Sequence, residues 1–158
     1  LLPKIRPILP QVAREMTIET LREAVLPNGT VDLGRVPTFR QIKNYRGTMA
    51  GMSLKTRVTG LENHHLVPKE VARLLGLSTS GLDDSPACLL PRTELRKGNG
   101  EGAESFHAVL RGRIAMLGLE PSNERVIAAL LLSHTEIGIA DARPVVEAWL
   151  RGDGVWQE

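Results

Sequence analysis

Two adjacent histidines, His64 and His65, are the residues of this sequence best suited to chemistry. They lie in the segment Glu62-Asn63-His64-His65-Leu66-Val67-Pro68. Neighbouring side chains on a β-strand point to opposite faces, so one imidazole can bind a metal ion while the other meets a different partner. The proline is expected to end the strand, because it has no N–H to donate to a ladder. The doublet therefore suits a site that pairs a metal ligand with a general base.

Length and composition predict one domain, or at most two small ones, in a chain of 158 residues with 42% apolar residues. The single cysteine, Cys88, excludes an internal disulfide framework and a multi-cysteine zinc site. No segment approaches the roughly 20 apolar residues of a membrane span. Because the chain begins with Leu1 rather than methionine, we expect it to be part of a longer protein.

Charge is unevenly distributed along the chain, although the net charge is only +2. Residues 33–61 contain six basic side chains and no acidic one, among them Arg46, Lys55 and Arg57. Residues 120–158 contain seven acids and three arginines. A basic segment that leads into the histidine doublet suits a polyanionic substrate, and the alternative is an ordinary solvated face.

Hydrophobic periodicity and turn signals predict a chain that is mostly helical, with a few short strands. In the N-terminal part we expect a helix over 4–26 with Thr17 as its N-cap, an extended connector over 31–36 and a short helix over 37–45. In the middle we expect a small-residue loop over 47–51 and strands over 53–61, 62–67 and 87–90. We also expect a helix over 69–77, with Val71, Leu74 and Leu75 inward, and polar loops over 78–86 and 92–102. In the C-terminal part we expect helices over 104–117, from Ser122 or Asn123 to Gly138, and from Asp141 or Ala142 to Leu150.

Two further histidines lie in predicted helices. His107 lies one position from Phe106, the first residue of an apolar stripe, and Arg111 follows one turn later on the same side as His107. His134 follows an apolar helical segment and has no chemical partner nearby in the sequence, so we expect it to be structural.

The order of these segments resembles the HNH (ββα-metal) nuclease superfamily. The likeness is carried by Glu62-Asn63-His64-His65-Leu66-Val67-Pro68, by Asp83-Asp84-Ser85-Pro86-Ala87-Cys88-Leu89-Leu90-Pro91 and by Ser105-Phe106-His107. It covers about residues 60–115 and is strongest to the His-His nucleases at the C-termini of bacterial polymorphic toxins. The first and last thirds of the chain resemble no family that we can name.

The resemblance implies an α+β fold, mostly helical, with a small two-stranded ββα-metal nuclease core. The whole chain, 1–158, would be a single nuclease toxin domain. Within it, 1–52 would form a helical N-terminal part, 53–118 the ββα-metal core and 119–158 the C-terminal helices.

The resemblance also implies roles for individual residues. His64 would bind one divalent metal ion (Mg²⁺, Mn²⁺ or Zn²⁺), His107 would complete the metal site, and His65 would be the general base. Asp84, or less closely Asp83, falls where an Asn or Asp orients that base. To these we add Arg111, Arg57, Lys55 and Arg46 as predicted nucleic-acid contacts.

One departure from the family pattern affects the ligand set. Related sequences often carry a further histidine near the positions of Leu95 and Asn99, and this chain has none there. Asp84, Asn99 or a water molecule would have to fill that coordination position.

The function implied by the resemblance is metal-dependent hydrolysis of DNA by a toxin that is secreted or delivered into a target cell as part of a larger protein and acts in its cytoplasm. A cognate immunity protein is the implied partner. Three alternatives remain open: a ribonuclease using the same residues, a non-catalytic nucleic-acid-binding domain, and an interaction module in which the histidines hold a structural zinc ion.

Overall fold

The computed structural model describes residues 10–44, 48–49, 52–53, 61–91 and 105–152, and within them it confirms the predicted α+β fold. Helices dominate the described chain, and the strands are short. The α-helices are α1 (Pro10–Glu23), α2 (Phe39–Asn44), α3 (Lys69–Leu74), α4 (Phe106–Ala115), α5 (Asn123–Glu136) and α6 (Ala142–Gly152). No helix in this part of the chain is long and apolar enough to cross a membrane.

The described strands form two antiparallel pairs. The first is a minimal pair of β1 (Thr48–Met49), which falls in the loop predicted over 47–51, and β2 (Met52–Ser53), which ends where a strand was predicted to begin. The second pair, β3 (Leu61–His65) and β4 (Ala87–Pro91), carries the histidine doublet. In its register His64 lies opposite Cys88 and His65 lies opposite Ala87.

A long connection joins β3 to β4, and it contains α3 and a 3-10 helix, Thr79–Asp84, where a polar loop was predicted. The next described element after β4 is α4, so the chain follows a strand–strand–helix order. Ser105 is the N-cap of α4, where its hydroxyl accepts a hydrogen bond from the Ala108 N–H. This order places the start of α4 beside the end of β3.

The hydrophobic core lies between the β3–β4 pair and the helices that pack around it. Helix α1 packs along β4, α2 along β3, and α5 contacts α3, α4 and α6. Fully buried apolar side chains fill this core. Burying one Leu or Phe side chain stabilises the fold by roughly 1.5–3 kcal/mol. The largest of the buried apolar side chains are Leu21, Leu66, Leu82, Leu90, Phe106, Leu110, Ile127, Leu130, Ile139 and Leu150.

Thr17 has a different role from the predicted one. It lies inside α1 rather than at its N-terminus, because the described helix begins at Pro10. Its buried hydroxyl donates a 2.8 Å hydrogen bond to the Leu89 carbonyl oxygen of β4. Three residues earlier, Arg14 donates a 2.7 Å hydrogen bond to the Ile137 carbonyl at the C-terminus of α5, where a cation is favourable. Both contacts hold α1 against the rest of the domain.

Other local predictions were confirmed or corrected. Ser122 caps α5 as predicted, accepting a hydrogen bond from the Arg125 N–H. The connector over 31–36 contains a short 3-10 helix, Leu33–Arg35. Val71 and Leu75 are buried as predicted, but Leu74 is 41% exposed, because α3 ends at that residue and its second buried side chain is Ala72. The predicted strand over 53–61 lies mostly outside the described residues.

Helix α5 offers a test of the core. Leu130 is fully buried, whereas Leu132 on the same helix is 52% exposed. We expect Leu130→Ala to lower the free energy of unfolding by about 2–5 kcal/mol, because it leaves a cavity in packed surroundings. Leu132→Ala should change it by no more than about 0.5 kcal/mol. Urea unfolding of both variants measures the difference, and equal losses would contradict this account of the core.

Candidate active site

Strand β3 sends its two histidines to opposite sides of the sheet, as the strand pattern predicts. His64 faces α4 and α5, where its ring meets those of Phe106 and His134. His65 faces α2, where its ring stacks on Phe39. The two imidazoles therefore have separate environments although they are neighbours in the sequence.

His64 and His134 form a buried pair. Their Nε2 atoms lie 3.0 Å apart, and the residues are only 3% and 1% exposed. His134 Nδ1 lies 3.1 Å from the Leu130 carbonyl oxygen, which can only accept, so this nitrogen carries a proton and donates. With both rings neutral, His134 Nε2 must then accept the hydrogen bond that His64 Nε2–H donates. His64 Nδ1 is left as the unprotonated nitrogen of its ring.

Burial keeps this pair neutral. It lowers the pKa of His134 to about 4, an effect that the hydrogen bond to Leu130 only partly offsets. Burial also lowers the pKa of His64 well below its ordinary value, and repulsion from His134, His107 and His65 adds to that effect. Near pH 7 both rings are thus neutral, which is the protonation state that a histidine metal ligand requires.

His107, from the first turn of α4, lies next to this pair. Its ring centroid is 6.1 Å from that of His64, and its Nδ1 is 3.4 Å from Oε1 of Glu70 in α3. Both side chains of this His107–Glu70 contact are partly exposed. A carboxylate on one nitrogen of a histidine directs the other nitrogen toward a ligand, as in many metal sites.

His65 is held by a ring stack. Its ring centroid lies 3.8 Å from that of Phe39, and the two planes differ by 4°. Its buried Nε2 has no hydrogen-bond partner, and the nearest carboxylate oxygen is Asp83 Oδ1 at 3.8 Å. Burial lowers the pKa of His65, with Asp83 opposing that shift and Lys69 adding to it. This ring is oriented, neutral near pH 7 and able to accept a proton.

The two neighbouring aspartates are placed differently from the predicted arrangement. Asp84, which we predicted to orient the base, points to Arg40, with 3.0 Å between the Arg40 Nε and Asp84 Oδ1 atoms. Asp83 is the carboxylate that lies beside His65. Because both residues belong to the same 3-10 helix, a difference of one position changes the direction of the side chain.

The predicted nucleic-acid contacts are only partly described. Arg111 is exposed on α4, one turn after His107. Arg46, Lys55 and Arg57 lie outside the described residues, as do Leu95 and Asn99. Their places relative to the histidines therefore stay predictions.

A complete metal centre is not formed by the described side chains: no three of their His, Cys, Asp and Glu groups converge closely enough to hold a metal ion. The pair His64 and His134 nevertheless brings two neutral imidazole nitrogens together.

Three side chains of this site were missed by the sequence reasoning. His134 lies one turn after Leu130 and two turns after Val126, on the buried stripe of α5, and a polar ring on such a stripe needs a partner. That periodicity was the available signal. Phe39 and Glu70 gave no signal, because each reaches its histidine from a separate element.

Comparison with known proteins found no family model, no curated protein and no solved structure that matches this chain.

The buried pair predicts a pH-dependent stability for the protein kept free of metal by a chelator. An unfolded His134 has an ordinary pKa of about 6.5, so between pH 6.5 and 4 the unfolded chain binds more protons than the folded one. The free energy of unfolding should be highest above pH 6.5 and should fall as the pH drops toward 4. The contribution of His134 to this fall should be roughly 3 kcal/mol.

The measurement is urea unfolding across this pH range. His134→Gln should flatten the decline, whereas Leu132→Ala on the exposed face of α5 should keep the wild-type slope. A wild-type slope in His134→Gln would show that the acid sensitivity arises elsewhere.

Proposed function

We propose that this protein is a metal-dependent endonuclease that hydrolyses phosphodiester bonds in DNA. The observation that carries the proposal is the arrangement around β3. Two adjacent histidines at its end face opposite sides, and α4, which follows the strand pair, brings His107 beside the inward one. Strand, strand and helix thus supply one general base and one group of ligands from a small part of the chain.

His65 is the general base in this proposal. Phosphodiester hydrolysis requires a proton acceptor that is unprotonated near neutral pH, which a neutral imidazole provides. The Phe39 stack fixes the plane of the ring, and the free Nε2 beside Asp83 can accept the proton of an attacking water. Asp83 then favours the protonated ring through its charge.

His64 and His107 are the proposed metal ligands. The lowered pKa of His64 keeps its ring unprotonated, as ligation requires, and Glu70 orients the His107 ring through Nδ1. A divalent metal bound there would stabilise the negative charge that develops on the phosphate. Phe106 packs edge-on against His64 and excludes water from the inner side of the ring.

The substrate class rests on charge. Residues 33–61 carry six basic side chains and no acid, and Arg111 is exposed one turn beyond His107. A guanidinium in that position suits a backbone phosphate next to the cleaved bond. Because nothing in this arrangement depends on the 2′-hydroxyl, DNA is the proposed substrate and RNA is the alternative.

The biological setting is proposed from the resemblance of residues 60–115 to the HNH nuclease superfamily. The chain would be the toxin domain of a larger secreted or delivered bacterial protein, acting in the cytoplasm of the target cell. A cognate immunity protein would protect the cell that makes it.

The first test is incubation of the purified chain with plasmid DNA and, separately, with total RNA, with Mg²⁺, Mn²⁺, Zn²⁺ or EDTA. We expect DNA cleavage that requires metal. His65→Gln, which preserves a polar side chain of similar length but cannot act as the base, should lower the cleavage rate by about 10²–10⁴-fold.

Each other outcome has a definite meaning. Cleavage of RNA alone, insensitive to EDTA, would favour general-base attack by a 2′-hydroxyl. Binding of DNA without cleavage would favour a non-catalytic domain, and a large loss of fold on chelation would favour a structural zinc. A folded protein that neither binds nor cleaves nucleic acid would exclude the proposal.

The two aspartates provide a second test. Asp83→Asn should lower kcat by about tenfold or more with little change in KM, because Asp83 positions and stabilises the base without contacting substrate. Asp84→Asn, which breaks only an exposed pair with Arg40, should lower kcat by a smaller factor. The reverse order would return the orienting role to Asp84.

A further inference from the structure

We propose that His64 and His134 together bind a divalent transition-metal ion of the zinc class through their Nε2 atoms. His134 would then be a ligand contributed by α5, outside the strand–strand–helix core, rather than a structural residue. This inference deepens the proposed function at the same site, and it depends on that function only for the reaction that the metal serves.

The separation of the two nitrogens supports the pair as ligands. In a tetrahedral site with Zn–N distances of 2.0–2.1 Å, two imidazole nitrogens lie about 3.3–3.4 Å apart. The His64 and His134 Nε2 atoms are already 3.0 Å apart. Opening the pair by a few tenths of an ångström, with the His64 proton moving from Nε2 to Nδ1 of the same ring, would give the spacing that zinc requires.

The orientation of His134 also matches that of a metal ligand. Metal-bound histidines almost always donate their second ring N–H to a carbonyl or carboxylate, which fixes the ring and raises its basicity. His134 Nδ1 makes this hydrogen bond to Leu130 O, one turn earlier in α5. The carbonyl therefore directs His134 Nε2 toward His64 whether or not a metal is bound.

A hydrogen bond alone is a weak reason for burying two imidazoles. Such a bond contributes little net stability, whereas removing each ring from water carries a cost that an apolar side chain would not have. Around the pair the structure places Phe106, whose ring centroid lies 4.6 Å from that of His64 and 4.5 Å from that of His134. A bound cation would explain why two imidazoles are buried here, whereas core packing alone would favour apolar side chains.

The ligand type selects the metal. Imidazole nitrogen suits zinc and its transition-metal neighbours, whereas Mg²⁺ prefers oxygen. The partly exposed His107–Glu70 contact lies beside the pair, with the His107 ring centroid 6.1 Å from that of His64. We therefore expect Zn²⁺ to bind at concentrations at which Mg²⁺ does not.

The test is calorimetric titration of the chelator-treated chain with Zn²⁺ and with Mg²⁺, using neither nucleic acid nor a cleavage assay. We expect one Zn²⁺ per chain. His64→Gln and His134→Gln should each weaken Zn²⁺ binding by at least about tenfold. Thr135→Gln, which places the same side chain at the next, exposed position of α5, is the matched control and should bind Zn²⁺ as the wild type does.

Circular dichroism shows whether each variant is folded. A folded His134→Gln that binds Zn²⁺ with wild-type affinity overturns the inference, and so does a wild-type chain that binds no Zn²⁺.

Nuclear magnetic resonance of the wild-type chain tests the same point without any substitution. Zn²⁺ should displace the proton between the rings and shift the ¹⁵N resonances of both Nε2 atoms. Unchanged resonances at saturating Zn²⁺ would overturn the inference even if metal binds elsewhere. A chain that binds Zn²⁺ through His64 and His134 but cleaves no nucleic acid would keep this inference and exclude the proposed function, so the two can fail separately.

Discussion

The contact between the Nε2 atoms of His64 and His134 is the interaction on which the arrangement of the candidate site depends most. It joins the end of β3 to the buried face of the last turn of α5, across a separation of 70 residues. Two imidazole nitrogens can meet in this way only if one carries a proton and the other accepts it. The burial that surrounds them keeps both rings neutral, so the packing of the core and the protonation of the pair support each other.

This constraint divides the strand into two chemical sides. On the inner side, His64 lies among rings and apolar side chains, where charge is unfavourable and its ring stays neutral. On the outer side, His65 is only partly buried, stacks on Phe39 and has Asp83 within 4 Å of its ring nitrogen. Side-chain alternation along one short strand thus gives the proposed ligand and the proposed base adjacent positions without mixing their environments.

Secondary structure near the doublet was predictable because it follows from local pattern. The strands around His64 and Leu89, the helix that begins after Ser105 and the cap at Ser122 were all predicted within a few residues. The errors arose where tertiary contacts override local preference. Thr17 has the side chain of an N-cap but bonds to the Leu89 carbonyl of β4, which no local pattern specifies.

The candidate site shows the same division. Of its two aspartates, the sequence favoured Asp84 by position, whereas the turn of the 3-10 helix brings Asp83 to His65 and sends Asp84 to Arg40. The position of His134 on the buried stripe of α5 indicated that its ring needs a partner, but no sequence pattern indicated which residue that partner is. Nothing in the sequence relates α5 to β3, since contacts between distant segments are set by how whole faces pack.

By itself the sequence determined the fold class, the short strand with its doublet, the two faces on which the histidines would lie and the helix that carries His107. These features depend on alternation, helical periodicity and capping, which act over a few residues. Only the tertiary structure decided that His134 meets His64, that Phe39 stacks on His65 and that Glu70 lies against His107. The physical reason is that each of these contacts joins elements far apart in the chain, and burial of a shared core, rather than any local preference, brings them together.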